Sequence, residues 1–556
     1  MTDDHPLIVQ GDFSLLLEVQ HPLHTEARDA LARFTELVKA PEYLHTYRIS
    51  PLSVWNAAAA GMSAQAMLET LTRYSRYAVP RHVIQEIETL ASRFGLLTLL
   101  AGASGLELHA QDMETAELLS HKSEVMSWLG DRLAPRVFSV PELHRGRLKV
   151  ALIKIGYPAR DLAGYLSGEP LSFALRSQTR AEKPLNLRDY QWLAVDFFHA
   201  SGQASGGSGV IVLPCGAGKT VVGMGAMERL QTSTLILTPG VTAARQWIAE
   251  LLDKTSLTAD QVGEYTGHAK EIRPVTVTTY QTLSHRNDKE GPFVHFGLFN
   301  SRPWGLIIYD EVHLLPAPIF QVTSEIQARR RLGLTATLVR EDNRQDDVFA
   351  LIGPKKYDVS WKEMERQGWI AKAECTEVRV CMSHAWKMQY AEAAERLQFR
   401  VACENPAKLE VVKVLLARHP GTPALVIGTY LEQLETLSRQ LNAPLLTGQT
   451  SNKKREALYE GFRSGQIPVL VVSKVANFAV DLPDAALAIQ VSGSFGSRQE
   501  EAQRLGRLLR PKPGENQAHF YTVVSRDSLE QELGLHRQLF LIEQGYRYVI
   551  EDFGEA

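Results

Sequence analysis

The sequence predicts an α/β protein with two successive parallel-sheet lobes, preceded by a smaller α+β region. The first observation is a rhythm. From residue 181 to about 365, short apolar runs each end in polar or turn residues: "GVIVLP", "TLILTP", "VTVTTY", "WGLIIYDE" and "RLGLTAT". Helical patterns separate them, as in a parallel sheet covered by helices on both faces. The second is that the rhythm resumes from about 370 in "PALVIGTY", "PVLVVSK", "LAIQVSG" and "AHFYTVVS". The third is length, because 556 residues exceed what one core accommodates. Four segments follow from this reading: 1–115, 116–180, 181–368 and 369–556.

The first segment opens with "PLIVQGDFSLLLEV", which alternates as a hairpin does. "HTEARDALARFTELVKA" and "SAQAMLETLTRYSRY" have helical spacing, and Pro51 or Ser53 marks a helix start in "HTYRISPLSVWNAAAAGMS". No residue pattern here carries catalytic chemistry, so a folding or docking module is expected. In the second segment a helical run precedes "LKVALIKIGYPARDLAGYL". "RSQTRAEKP" and the glycine-rich "SGQASGGSG" then lead to the first lobe as loops.

Composition excludes several classes. The chain is 44% hydrophobic and 22% charged, as soluble enzymes are. No apolar run approaches the roughly 18 residues that a membrane span needs. The start "MTDDHPLIVQGDF" lacks the basic and apolar regions of a signal peptide. The four cysteines form no CxxC pair and no zinc-site spacing, which points to a reducing cytoplasm. A net charge of −3 gives no global attraction to nucleic acid, so any such binding must be local.

"LPCGAGKT", residues 213–220, lies at the carboxyl end of an apolar strand and opens a helix. Ligands of open α/β sheets bind at such ends. Gly216, Ala217 and Gly218 let backbone N–H groups approach phosphate oxygens, and Pro214 and Cys215 complete the nucleotide-binding loop. Lys219 suits the β- and γ-phosphates of ATP, and the Thr220 hydroxyl suits Mg2+. Leu213 stands where the general pattern has glycine, with Gly216 keeping the turn open. In "GLIIYDEVH" two adjacent acids end a buried strand, which is costly without a cation. Asp310 suits Mg2+, Glu311 suits activation of the attacking water, and His313 suits a relay to the next strand. Upstream, Arg188 and Gln191 of "LRDYQ" are candidates for the base, since an amide matches both donor and acceptor edges of adenine. In "EEAQRLGRLLRPK", Gln503, Arg507 and Arg510 share one helical face, and the two guanidinium groups fit the arginine-finger role toward a γ-phosphate.

Taken together, "LPCGAGKT", "DEVH", "GLTATLVRED" and "EEAQRLGRLLR" resemble the superfamily 2 helicases, and within them the XPB family of DNA repair helicases. "LIGPKKYDVSWKEMERQGWIAKAE", "SKVANFAVDLP" and "FYTVVSRDSLEQELGLHRQLFLIEQGYRY" extend the resemblance in order and spacing, and "LHTYRISPLSVWNAAAAG" carries it into the N-terminal region. The resemblance implies two RecA-like lobes and a DNA-stimulated ATPase that moves 3′ to 5′ and opens duplexes in nucleotide excision repair. It makes 1–115 an XPB-type N-terminal domain and places a damage-recognition-like region at 116–180.

By the same resemblance, Thr335 and Thr337 couple nucleotide state to DNA grip. Arg340, Glu341 and Asp342 match a motif associated with duplex opening. Thr238, Thr266, Gly267, Thr279, Thr447 and Gly448 sit on loops like those that touch the sugar–phosphate backbone. Ser473, Lys474 and Asp481 fall in the segment linking that grip to the nucleotide, with Asp481 on the nucleotide side. A short thumb-like insertion corresponds to Ser383–Asn405, where Trp386, Lys387, Tyr390, Arg396 and Arg400 fit DNA binding and an ordinary amphipathic helix equally well. The expected partners are DNA, single-stranded and duplex, and a separate nuclease or repair protein. An RNA helicase is disfavoured, because "DEVH" and "QRLGRLLR" replace the DEAD-box forms. The alternative is a partner-dependent duplex translocase or scaffolding module that unwinds little by itself.

Overall fold

The computed structural model describes residues 5–554 except 42, 104, 215, 289–290, 328, 337–344, 474–484, 494–504 and 507–515. Among the described residues the chain forms two compact units, one of residues 1–38, 42–213 and 218–358, the other of 39–41, 214–217 and 359–556.

In the first unit, β1 (Leu7–Val9) and β2 (Ser14–Glu18) pair antiparallel as the sequence predicts, with Leu7 opposite Leu17. With β3 (Glu36–Lys39) and β4 (Leu44–Arg48) they make a sheet of order β1-β2-β4-β3. The helix expected over "HTEARDALARFTELVKA" stops at Leu31, and "ELVK" is strand β3. Its alternating burial fits one covered face of a sheet. The helix Pro51–Ala59 starts at the expected proline, capped by Ser50. Ser53 completes the reciprocal capping box rather than starting the helix.

A second, five-stranded sheet joins β5 (Leu97–Gly102), β6 (Gly105–Ala110), β7 (Arg132–Ala134), β8 (Val137–Val140) and β9 (Ala159–Asp161) in the order β7-β8-β6-β5-β9. The helix Arg145–Lys154 ties it to the first lobe. A β-carbon on Gly146 would lie 2.4 Å from the Ser324 carbonyl, so the two backbones nearly touch. Asp161 binds Arg145 at 2.6 Å and Lys149 at 3.1 Å, and Lys149 donates to Gln327 at 2.9 Å. Burial raises the Asp161 carboxyl, but the cations Lys149, Arg145 and Arg331 outweigh it and hold the group well below the usual range.

The first lobe is a seven-stranded parallel sheet of β10 (Ser208–Val212), β11 (Thr234–Thr238), β12 (Val262–Tyr265), β13 (Val275–Thr279), β14 (Leu306–Asp310), β15 (Arg330–Thr335) and β16 (Lys355–Asp358). Its order is β12-β13-β11-β14-β15-β10-β16. The five strands predicted from apolar runs are all present, and each is almost wholly buried, as strands covered on both faces must be. The short edge strands β12 and β16 carry polar residues and escape that signal.

The second unit holds another seven-stranded parallel sheet. Its strands are β17 (Lys372–Val380), β18 (Ala424–Gly428), β19 (Leu445–Leu446), β20 (Val469–Ser473), β21 (Leu487–Gln490), β22 (Gln517–Ser525) and β23 (Tyr548–Phe553), in the order β19-β20-β18-β21-β22-β17-β23. Buried Lys408 and Glu530 pair at 2.7 Å behind this sheet, and Lys408 also donates to the Val491 carbonyl. These two parallel sheets, with the α+β region before them, are the fold the sequence predicts.

Candidate active site

The register of the first sheet builds the site. β15 lies between β10 and β14, with Val212 opposite Thr335 and Asp310 opposite Leu334. The loop after β10 and the acids after β14 therefore end two strands apart on one edge, with Thr335 between them. The Leu213 N–H donates to the Thr335 carbonyl at 3.0 Å, which fixes where the chain leaves the sheet. Gly216 and Gly218 have φ of +83° and +79°, conformations that side chains rarely adopt. A helix then runs Lys219–Leu230, presenting Lys219 and Thr220 in its first turn. A β-carbon on Gly218 would lie 2.5 Å from Gln191 Nε2, so the Gln191 amide rests against the end of the loop. Gln191 is buried, and its oxygen accepts the Arg188 N–H at 2.9 Å, which sets the direction of the amide. Arg188 itself donates to the Tyr190 hydroxyl at 3.1 Å.

Lys219 Nζ lies 3.2 Å from Glu311 Oε1. Glu311 has φ of +48°, an uncommon conformation for a residue with a side chain, which turns the chain out of β14. Its N–H donates to Asp310 Oδ1 at 3.1 Å. His313 Nδ1 lies 2.7 Å from the Thr335 hydroxyl and 3.4 Å from Glu311 Oε2, so it stands between acid and neighbouring strand as expected of a relay. Burial, then the Glu311 charge, pushes the Asp310 carboxyl up to about 6. Burial acts on Glu311 too, but Lys219 and His313 outweigh it and hold that carboxyl down. Two half-buried acids thus share one lysine, and the pair is short of positive charge. That deficit fits a divalent cation, for which Thr220, in the first turn of the helix after the loop, offers a further oxygen.

Residues that motif reading did not single out complete the site. The Trp247 indole, on the helix Val241–Lys254, donates to Asp310 Oδ2 at 2.9 Å. It fits because position 223 is glycine: a β-carbon there would lie 2.6 Å from Trp247 Cη2. Tyr280 donates its hydroxyl to the Asp310 carbonyl at 2.6 Å. The pattern "RQW" and the glycine at mid-helix were the available signals, but only the sheet order shows that they converge on Asp310.

The candidate backbone-contact residues of the first lobe, Thr238, Thr266, Gly267 and Thr279, lie at the same edge of the first sheet. Their hydroxyls, however, are engaged within the chain. Thr238 donates to the Thr278 carbonyl at 3.0 Å, and Thr266 donates to Glu264 at 2.6 Å. The Thr279 oxygen caps the helix Tyr280–Leu283. In the second unit Thr447 accepts the Gln449 N–H in the turn holding Gly448, and Ser473 ends β20 buried. The insertion is two helices, His384–Glu392 and Glu395–Cys403, the first with no buried residue. Trp386 donates to the Val401 carbonyl, Tyr390 accepts the Leu529 N–H and Arg400 pairs with Glu404, while Lys387 and Arg396 are exposed. Cys215, Thr337, Arg340, Glu341, Asp342, Lys474, Asp481, Gln503, Arg507 and Arg510 lie outside the described residues.

A phosphate loop, an acidic pair two strands away and a second parallel sheet define a P-loop motor enzyme of the helicase class. Family models agree along the chain. "ERCC3/RAD25/XPB C-terminal helicase" matches residues 364–553, "Type III restriction enzyme, res subunit" matches 184–340, and "Helicase conserved C-terminal domain" matches 7–134. The chain is 53% identical over 550 residues to the DNA 3′-5′ helicase XPB of Mycobacterium tuberculosis, covering 99% of this chain and 98% of that one. It is 52% identical to the protein of the same name from Kineococcus radiotolerans, covering 99% and 97%. A further relative, the general transcription and DNA repair factor IIH helicase/translocase subunit XPB of Antonospora locustae, is 33% identical over 98% of this chain and 81% of its own. The chain belongs to the XPB family of DNA helicases. Among the described residues, no helix is long and apolar enough to cross a membrane.

Proposed function

We propose that the chain is an ATP-dependent 3′–5′ DNA helicase and translocase acting in nucleotide excision repair. The observation that carries the chemistry is the convergence of Lys219, Asp310 and Glu311 at one sheet edge behind a loop with two left-handed glycines. The substrate follows from a family likeness that spans nearly the whole chain.

In this reading backbone N–H groups of residues 215–218 and the Lys219 ammonium hold the ATP phosphates. Thr220 and Asp310 hold Mg2+, which spreads the phosphate charge when bound. Glu311 orients and deprotonates water, and His313 passes the change at Glu311 to Thr335 and the segment after it. Gln191 and Arg188 sit on the base side. Arg507 and Arg510 supply cationic charge from the second lobe, Gln503 adds a neutral amide on the same helical face, and Asp481 is on the nucleotide side. Thr337, Arg340, Glu341, Asp342 and Lys474 belong to the DNA side. ATP drives stepping only through its different affinity for the two states of the cycle.

The reading is tested with duplexes carrying a 3′ or a 5′ single-stranded tail, in ATP and Mg2+. Opening of the 3′-tailed duplex is expected. Preference for the 5′ tail contradicts the polarity. DNA-stimulated hydrolysis without strand separation on either substrate supports the partner-dependent translocase instead.

A further inference from the structure

A cavity of about 520 Å3 lies within the first unit, at the amino edge of the first sheet, opposite the edge that carries the phosphate loop. Its walls come from the end of the helix Pro51–Ala59 and the loop after it, the end of the helix Arg81–Arg93, β9, and the starts of β10 and β16. No described residue of 213–220 or 310–313 borders it. Met62, Phe94, Ile153 and Phe349 give it an apolar side. Lys149, Arg160 and Lys356 give it a cationic one, and Asp161 is the one carboxylate among the described lining residues.

That carboxylate is already taken. Asp161 pairs with Arg145 at 2.6 Å and with Lys149 at 3.1 Å, and no side chain of the three is more than 7% exposed. Lys149 also donates to Gln327 at 2.9 Å. Arg160 and Lys356 are left without an acid, since neither makes an ion pair among the described residues. The Lys356 ammonium donates to the Ser205 carbonyl at 2.9 Å, which leaves it further N–H donors. Burial and then the Arg160 charge hold that ammonium below its usual range, and no carboxylate opposes them.

The backbone is shaped to bring Lys356 to this place. Gly209, in β10, has φ of +150°, and a β-carbon there would lie 2.3 Å from Lys356 Cγ. Gly353 has φ of +131°, and its β-carbon would lie 2.8 Å from the Gly209 nitrogen. Two glycines in contact thus let the lysine stem lie on β10. On the opposite wall the Arg160 stem crosses Gly95, where a β-carbon would lie 3.3 Å from Arg160 Cδ. Two cations without a carboxylate, beside an apolar wall, suit an anion with an apolar body.

We propose that this cavity binds a small phosphate monoester, with its head on Arg160 and Lys356 and its apolar body against Met62, Phe94 and Phe349. A guanidinium and an ammonium that lack a counter-charge match a dianion, and the volume suits a metabolite-sized molecule. The site is separate from nucleotide hydrolysis and from nucleic-acid binding. Its walls join the N-terminal region, the five-stranded sheet and the first lobe, so a ligand there stabilises their packing by mass action.

Isothermal titration of the full chain with phenyl phosphate tests the site, with phenol and benzoate as the counterparts that lack the charge or the phosphate. The titrations use the Lys219→Ala chain, so that the phosphate loop does not contribute. Phenyl phosphate should bind and raise the thermal midpoint, and phenol should bind roughly tenfold more weakly or not at all. In that chain Arg160→Gln, on an exposed side chain, should weaken phenyl phosphate roughly tenfold while the ligand-free thermal midpoint holds. Lys356→Met, which keeps the stem on β10, should do the same. Wild-type affinity in both variants overturns the site, as does failure to bind phenyl phosphate. Equal affinity for phenol overturns the anionic head, and equal affinity for benzoate overturns the phosphate.

Discussion

Lys219 of the phosphate loop and Glu311, the acid placed to activate water, are joined by an ion pair of 3.2 Å. The lysine that must meet nucleotide phosphates is thus held by the carboxylate that must meet water. Arrival of the phosphates offers Lys219 a stronger anion and releases Glu311, so the base becomes available when its substrate is present.

Glu311→Gln tests that exchange. Hydrolysis should fall about 10²- to 10⁴-fold, the usual worth of a positioned general base. Nucleotide affinity should stay equal or rise, because Lys219 no longer has a charged partner to leave. Binding of a fluorescent nucleotide measures this, and clearly weaker binding contradicts it.

Trp247→Phe keeps most of the buried ring but deletes the N–H that reaches Asp310. A hydrogen bond to a charged group contributes about 1.5–3 kcal/mol, so hydrolysis should fall roughly tenfold or more. The Mg2+ concentration for half-maximal activity should shift. Gly223→Ala should do the same by pushing the indole aside, and should also lower stability by about 1–3 kcal/mol through overpacking. Steady-state hydrolysis over a Mg2+ series, beside a thermal melt, separates the two variants.

Asp161→Asn should destabilise the first unit by about 3–5 kcal/mol, because Arg145 and Lys149 would keep their burial and lose their counter-charge. Urea unfolding measures the loss. The acid limb carries the same sign. The Asp161 carboxyl is lowered in the folded chain from an ordinary value of 3.8, so its contribution is complete above about pH 5. It fades only as the pH falls from there toward the lowered folded value.

Lys408→Met leaves Glu530 buried with no ammonium partner behind the second sheet. A loss of about 3–5 kcal/mol is expected, and Lys408→Met with Glu530→Leu should recover much of it, since replacing both charges removes the unpaired one. Denaturant midpoints of the three proteins decide the matter.

Much of this was legible in the sequence, for particular reasons. Strands such as β10, β11, β13 and β14 are short, continuous apolar runs because helices cover both faces. The phosphate loop and Asp310–Glu311 are local patterns at strand ends. What stayed hidden depends on contacts far apart in the chain. Strand β3 looks helical because "ELVK" continues a helical spacing, yet its burial alternates in a sheet. The bond from Trp247 to Asp310 joins residues whose elements meet only through the order β11-β14. Thr238, Thr266 and Thr279 read as phosphate contacts from their loops, and only their in-chain partners show what their hydroxyls do.

ATP hydrolysis by the purified chain with no nucleic acid, single-stranded DNA, duplex DNA and RNA, with Glu311→Gln as the blank, tests the central claim most directly. The account predicts strong stimulation by DNA, little by RNA, and none of either in the variant. Stimulation by RNA equal to or above that by DNA, or hydrolysis indifferent to all three, would contradict it.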